Sequence, residues 1–181
     1  MTQSAADFRL QTTLAGRYRL DRVLGEGGMG VVYAATHTVL DRPVAVKLLH
    51  AEYARQPEAR SRFVREATAS AKLRHPNVVE VHDAGQTEDG AAYLVLEMLE
   101  GEPLSNYLEA QGVLDVRTVL SIFVPVVTAV AYAHGHGFVH RDLKPDNIFL
   151  SRDVTGRMVP KVLDFGIAKS LTAGPHAGAT Q

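Results

Sequence analysis

The stretch Leu24-Gly25-Glu26-Gly27-Gly28-Met29-Gly30-Val31-Val32-Tyr33 decides the fold, because the residues after its last glycine choose between two architectures. Glycines at this spacing serve a dinucleotide site when the last of them opens a helix inside a βαβ unit. They serve equally well in a hairpin, where a backbone without Cβ atoms can approach a phosphate closely and take positive φ. Val31-Val32-Tyr33 is a poor helix start and a good strand, so the hairpin version is expected. The phosphate loop ending in Gly-Lys-Ser/Thr is absent. Taken alone, the pattern also fits a plain glycine-rich turn with no ligand.

Working outward, short runs of β-branched and aromatic residues predict strands at 18–24, 31–35 and 44–49. Their links are too short for helical crossovers, so they should form an antiparallel meander. In Val44-Ala45-Val46-Lys47, alternation puts the valines on one face and Ala45 with Lys47 on the other. A small residue beside a lysine leaves room for a flat ring while the ammonium reaches a phosphate. Residues 57–73 read as a helix, with Phe63, Ala67 and Ala71 at four-residue spacing. Arg55, Arg60, Arg62 and Arg65 in and before it fit a solvated face better than a docking patch. Glu66 on this helix is the natural anionic partner for Lys47.

Strands are also expected at 78–81 and 93–96, and helices at 104–110 and through a long apolar segment, 119–133. The fold class is therefore α+β: a five-stranded antiparallel sheet with one helix, followed by a mainly helical part. Residues 1–16 read as a loose tail, 17–96 as the sheet-bearing lobe, 97–102 as a hinge and 103–181 as part of a second lobe. The apolar segment, about fifteen residues, falls short of the roughly 20 that span a bilayer, so a buried helix is expected. Formal net charge of −1 gives no electrostatic case for nucleic acid or an anionic membrane. The chain has no cysteine, which excludes disulfides and thiolate metal sites and fits a cytoplasmic location.

The most specific string is His140-Arg141-Asp142-Leu143-Lys144-Pro145-Asp146-Asn147, a loop after a helix broken by Gly135 and Gly137. Asp142 can accept a hydroxyl proton or orient the hydroxyl, and Lys144 can neutralise charge on a transferring group. Asn147 and Asp164, the latter in Val162-Leu163-Asp164-Phe165-Gly166, offer hard oxygen ligands to Mg²⁺. Strands at 148–150 and 161–163 should form a hairpin carrying both ligands to one place. His134 and His136 lack a third ligand nearby and suit a structural role at a helix end. His140 is expected to pack under Phe165.

Together these residues resemble the eukaryotic-like protein kinases, and more narrowly the bacterial Ser/Thr kinases, over about residues 16–181. The resemblance implies a protein-kinase-like fold that uses ATP and Mg²⁺ (or Mn²⁺) to phosphorylate Ser/Thr hydroxyls of protein substrates in signalling. It implies that Leu24, Gly25, Glu26, Gly27, Gly28, Met29, Gly30, Val31 and Val32 cover the phosphates. Lys47 would contact the α/β-phosphates and pair with Glu66. Ala45, Leu96 and Phe149 would line the adenine pocket beside hinge residues Glu97 and Leu99. Asp142 would be the catalytic base, assisted by Lys144, with Asn147 and Asp164 on the metal. Arg141 would partner a phosphate on the activation segment, where Ser170, Thr172 and Thr180 are candidates and Thr180 is favoured. Self-association for autophosphorylation would follow.

The family's second lobe continues well past the equivalent of Gln181. The chain is therefore expected to be the N-terminal part of a working kinase, with a non-catalytic ATP-binding or regulatory module as the alternative. Either way, the apolar helix should expose a greasy face that later helices normally cover.

Overall fold

The computed structural model describes residues 9–28, 30–54, 56–87 and 90–165. Met29, Gly166, Ser170, Thr172 and Thr180 lie outside them. The chain divides into two compact units: the described parts of 1–71 with 81–98, and of 72–80 with 99–181.

The first unit is built on an antiparallel sheet of strands β1 (Thr13–Leu14), β2 (Tyr18–Gly27), β3 (Gly30–His37), β4 (Arg42–Leu49), β5 (Val81–Gln86) and β6 (Ala92–Glu97). Their order is β1-β2-β3-β4-β6-β5. The meander is as expected, but the sheet has six strands where five were predicted. The extra one comes from the supposed tail: Leu14 pairs with Tyr18 and is buried, and Leu20 donates its N–H to the Thr12 carbonyl. Two helices, α1 (Ala51–Ala54) and α2 (Pro57–Ser70), replace the single one expected. Phe63 and Ala67 of α2 are wholly buried.

One face of the sheet forms a core of Leu20, Val31, Tyr33, Val44, Val46, Leu48, Tyr93 and Val95, with Tyr18 at its edge. The Tyr18 hydroxyl donates to Asp83 (2.8 Å), which also accepts from Arg17 (3.0 Å). Burial, and then the bond to Asp83, push the Tyr18 phenol up to about 12.

The second unit contains strands β7 (Gly101–Pro103), β8 (Ile148–Arg152) and β9 (Met158–Val162), paired antiparallel in that order. It also contains helices α3 (Leu104–Gln111) and α4 (Val116–Gly135). The strand predicted at 78–81 is displaced. Val78 and Val79 are buried, but they join this unit, with Val78 bridged in parallel to Val162 and Val79 donating to the Val162 carbonyl. The strand that pairs with β6 begins only at Val81.

Helix α4 is 20 residues long, not fifteen, because Asp115 caps it by accepting from the Thr118 amide (3.1 Å) and hydroxyl (2.6 Å). Those bonds, the hydroxyl's first, hold the Asp115 carboxyl below its ordinary range. By length and composition alone α4 could cross a membrane. Its Ile122, Val126, Ala129 and Ala133 are nonetheless wholly buried against Leu104, Ile148, Leu150, Val162 and Phe165, the packing of a core helix. The opposite face carries exposed Leu120, Phe123, Val124 and Val127. Pro125, which withholds one helix N–H, sits beside buried Val126.

Candidate active site

In the first unit, sheet register puts four of the expected nucleotide residues, Val32, Ala45, Lys47 and Leu96, on one face. Lys47 lies opposite Val32 on β3 and Leu94 on β6; one row further along the same face, Ala45 lies opposite Ala34 and Leu96. Period-two alternation makes the other face the apolar core, so Lys47, half-buried, stands on the face that the core does not use. The same alternation corrects one expectation. Val31 pairs with Leu48 and is buried with it in the core, turned away from Lys47. Glu97 ends β6 opposite Val44, and Glu66 lies on α2.

The glycine hairpin joins β2 and β3 through the pairs Gly25 with Val32, Glu26 with Val31 and Gly27 with Gly30. Leu24 on β2 is exposed. The glycines answer to two different demands. A Cβ on Gly30 would overlap the Leu48 carbonyl, so the close approach of β3 to β4 alone requires glycine there. A Cβ on Gly25, Gly27 or Gly28 would meet nothing within 4 Å, so no neighbour among the described residues claims that space. An open, Cβ-free backbone rim of this kind suits a phosphate ligand. His50, just past β4, approaches the hairpin with Nε2 2.9 Å from the Gly27 carbonyl oxygen, an interaction that sequence reasoning missed. Its only signal was a polar residue directly after the apolar pair Leu48-Leu49.

The second unit holds a closed circuit of hydrogen bonds. Asn147 donates through Nδ2 to the Asp142 main-chain carbonyl (2.8 Å) and to Asp142 Oδ2 (3.2 Å). The Asp142 N–H donates to His140 Nδ1 (3.3 Å), and His140 Nε2 lies 2.7 Å from the Leu163 carbonyl oxygen. Leu163 N–H then returns to the Asn147 carbonyl (2.9 Å). Because Nδ1 accepts and a carbonyl can only accept, His140 carries its proton on Nε2. The His140 ring is buried and stacks on Phe165 at 4.9 Å between centroids, the packing expected for it. The circuit ties the loop bearing Asp142 to the strand end that delivers Asp164.

Lys144 Nζ lies 3.6 Å from Asp142 Oδ2 with its side chain half exposed. An ion pair this exposed adds about 0–1 kcal/mol to stability. Its worth lies in placing a cation beside the carboxylate. Arg141 and Asp164 both take left-handed backbone, φ 64° and 53°. Residues with a Cβ enter that region at a cost, and such strain concentrates at functional sites. Arg141 is exposed, while Phe149 is half-buried on β8, on the face opposite the buried Ile148 and Leu150. Leu99, half-buried, belongs to this second unit.

A family model described as the protein kinase domain matches residues 18–180. The serine/threonine-protein kinase PknA of Mycobacterium tuberculosis is 44% identical over 171 residues, which are 92% of this chain and 39% of PknA. PrkC of Bacillus subtilis, also a serine/threonine-protein kinase, is 44% identical over 160 residues, 88% of this chain and 24% of PrkC. Among solved structures, the kinase domain of M. tuberculosis PknI matches with a TM-score of 0.76 at 34% identity, covering 92% of this chain and 64% of that one. The chain thus spans well under half the length of these two curated relatives. On the matched domain, the shared fold and these identities, the chain belongs to the protein kinase family.

Proposed function

We propose that the chain carries the catalytic apparatus of a serine/threonine kinase, transferring the terminal phosphoryl group of Mg·ATP to Ser or Thr hydroxyls of proteins in a signalling role. The observation that carries this reading is the circuit through Asp142, His140, Leu163 and Asn147. It holds a carboxylate and an amide in fixed relation through hydrogen bonds within the chain, which is what positioning catalysis requires.

The donor set fits the metal. Asn147 uses its amide N–H groups on Asp142, so the ligand atom it can offer is its side-chain oxygen. Together with the Asp164 carboxylate that makes a hard oxygen set, suited to Mg²⁺ or Mn²⁺. When bound, Mg·ATP supplies the electrophilic phosphorus and a cation that offsets charge on the phosphoryl oxygens. Asp142 orients the acceptor hydroxyl and takes its proton, and Lys144 stabilises negative charge beside it. Lys47 binds the α/β-phosphates, with Glu66 holding its ammonium in place. Gly25, Glu26, Gly27, Gly28 and Gly30, with Met29, form the backbone cover over the phosphates. Val32 continues that cover, and Ala45, Leu96 and Phe149, with hinge residues Glu97 and Leu99, are the residues the resemblance assigns to the adenine. Arg141 receives a phosphate on the activation segment, Thr180 being the favoured acceptor, through autophosphorylation between copies in the cytoplasm.

The test uses the protein as its own cell makes it, with radiolabelled ATP and a generic Ser/Thr protein acceptor. Lys47→Met and Asp142→Asn should each lower phosphotransfer by about a hundredfold or more, while Asp142→Asn keeps Mg·ATP binding. Transfer at the wild-type rate by Asp142→Asn would remove Asp142 as the base. Binding of Mg·ATP with no transfer by the unaltered protein would favour the regulatory module instead.

A further inference from the structure

We propose that His50 is a positioning residue for the nucleotide's terminal phosphates, acting by pinning the Gly27–Gly28 peptide of the hairpin. The proposal rests on the nucleotide-binding reading given above. His50 Nε2 lies 2.9 Å from the Gly27 carbonyl oxygen, and a carbonyl can only accept, so Nε2 carries the proton and donates. No described peptide bond is cis. In a trans peptide the C=O and the next N–H share one plane and point in opposite directions. Drawing the Gly27 carbonyl toward His50 therefore aims the Gly28 N–H away from His50.

That peptide needs a pin. It is flanked by two glycines, and a Cβ on either would meet nothing within 4 Å among the described residues, so no side chain of its own limits its rotation. Flipped, it would present a carbonyl oxygen to an anion in place of an N–H. The histidine is itself well placed to resist this. Gly30 lies so close to β4 that a Cβ there would overlap the Leu48 carbonyl. This close approach fixes the end of β4 against the hairpin base, and His50 is the first residue after β4. Glu26 Oε1, 4.0 Å from the same nitrogen, adds a weak attraction on the hairpin side. An imidazole anchored at the base of a glycine turn thus sets which atom the turn offers to a phosphate.

The test compares His50→Ala with His50→Gln in the full protein, because the Gln side-chain amide nitrogen can replace Nε2 as donor. Mg·ATP affinity, the ATP KM and kcat, and thermal midpoints are measured together, with Lys47→Met as control. His50→Ala should weaken Mg·ATP binding and raise the ATP KM about fivefold, the worth of one oriented hydrogen bond, with kcat changed less and the midpoint nearly unmoved. His50→Gln should recover most of that loss. Wild-type Mg·ATP affinity in His50→Ala, or an equal loss in both variants, would overturn the pin while leaving the nucleotide reading intact. Wild-type protein that binds Mg·ATP no better than Lys47→Met would overturn the nucleotide reading, and the pin with it.

Discussion

Replacing Asn147 by Ala removes the two bonds that close the circuit around the catalytic loop. One goes to a neutral main-chain carbonyl at 2.8 Å and the other to a carboxylate oxygen at 3.2 Å. A neutral hydrogen bond contributes about 1 kcal/mol net, and one to a charged group about 1.5–3 kcal/mol. The second bond is long and Asp142 is only partly buried, so it contributes no more than a neutral bond, about 1 kcal/mol, and the total comes to about 2 kcal/mol. The backbone bond from Leu163 to Asn147 survives in the variant, so β9 should stay in register. The loss should therefore appear as local opening: amide exchange across residues 140–147 should accelerate about thirtyfold, with a smaller drop in the urea midpoint. Asn147→Asp should be worse than Ala at neutral pH, since it sets a second carboxylate against Asp142 Oδ2. Loop exchange unchanged in Asn147→Ala, or Asn147→Asp as stable as wild type at pH 7, would refute the assignment of these bonds as what holds the loop.

Tyr18 should titrate near 12, above the ordinary phenol value of 10. Its folded-state pKa is raised, so its contribution is complete below about pH 10 and is lost as pH climbs toward 12. Absorbance titration with Tyr18→Phe as reference checks this. Gly30→Ala should lower stability by about 1–3 kcal/mol through forced overlap with the Leu48 carbonyl, whereas Gly25→Ala should stay within about 0.5 kcal/mol in urea titrations. On α4, Ile122→Ala should cost about 2–5 kcal/mol, while Leu120→Ala on the exposed side should cost about 0.5 kcal/mol or less by the same assay.

The elements legible in the sequence were those whose own residues dictate their pairing. Strands β2 to β4 carry dense β-branched runs and are joined by short turns, so alternation revealed which face Ala45 and Lys47 share. The element at 78–81 misled because burial is not pairing. Val78 and Val79 are buried as strand residues are, yet their partner is Val162, far along the chain. The true strand, Val81-His82-Asp83-Ala84-Gly85-Gln86, is polar in composition and owes its form to β6. The two-residue strand β1 has too few residues to show any period. Alternation within the glycine stretch was available to place Val31 in the core, but the resemblance to a family motif drew the whole run together. The catalytic string displayed its residue types but not their wiring. Residue types do not reveal that Asn147 points its donors at Asp142 five residues away, or that Arg141 and Asp164 sit in left-handed backbone, and the bonds from His140 to Leu163 and from Leu163 to Asn147 join segments remote in sequence.

The divided duty of the hairpin glycines bears on how such a motif would decay. Were a descendant of this chain released from binding a nucleotide, positions 25, 27 and 28 could accept larger residues at once, since each opens onto empty space. Position 30 could not, because the strand beside it forbids a side chain whatever the ligand. The signature would erode from its front and keep its last letter. A lone surviving glycine at that position would then testify to an intact sheet, and say nothing about an active one.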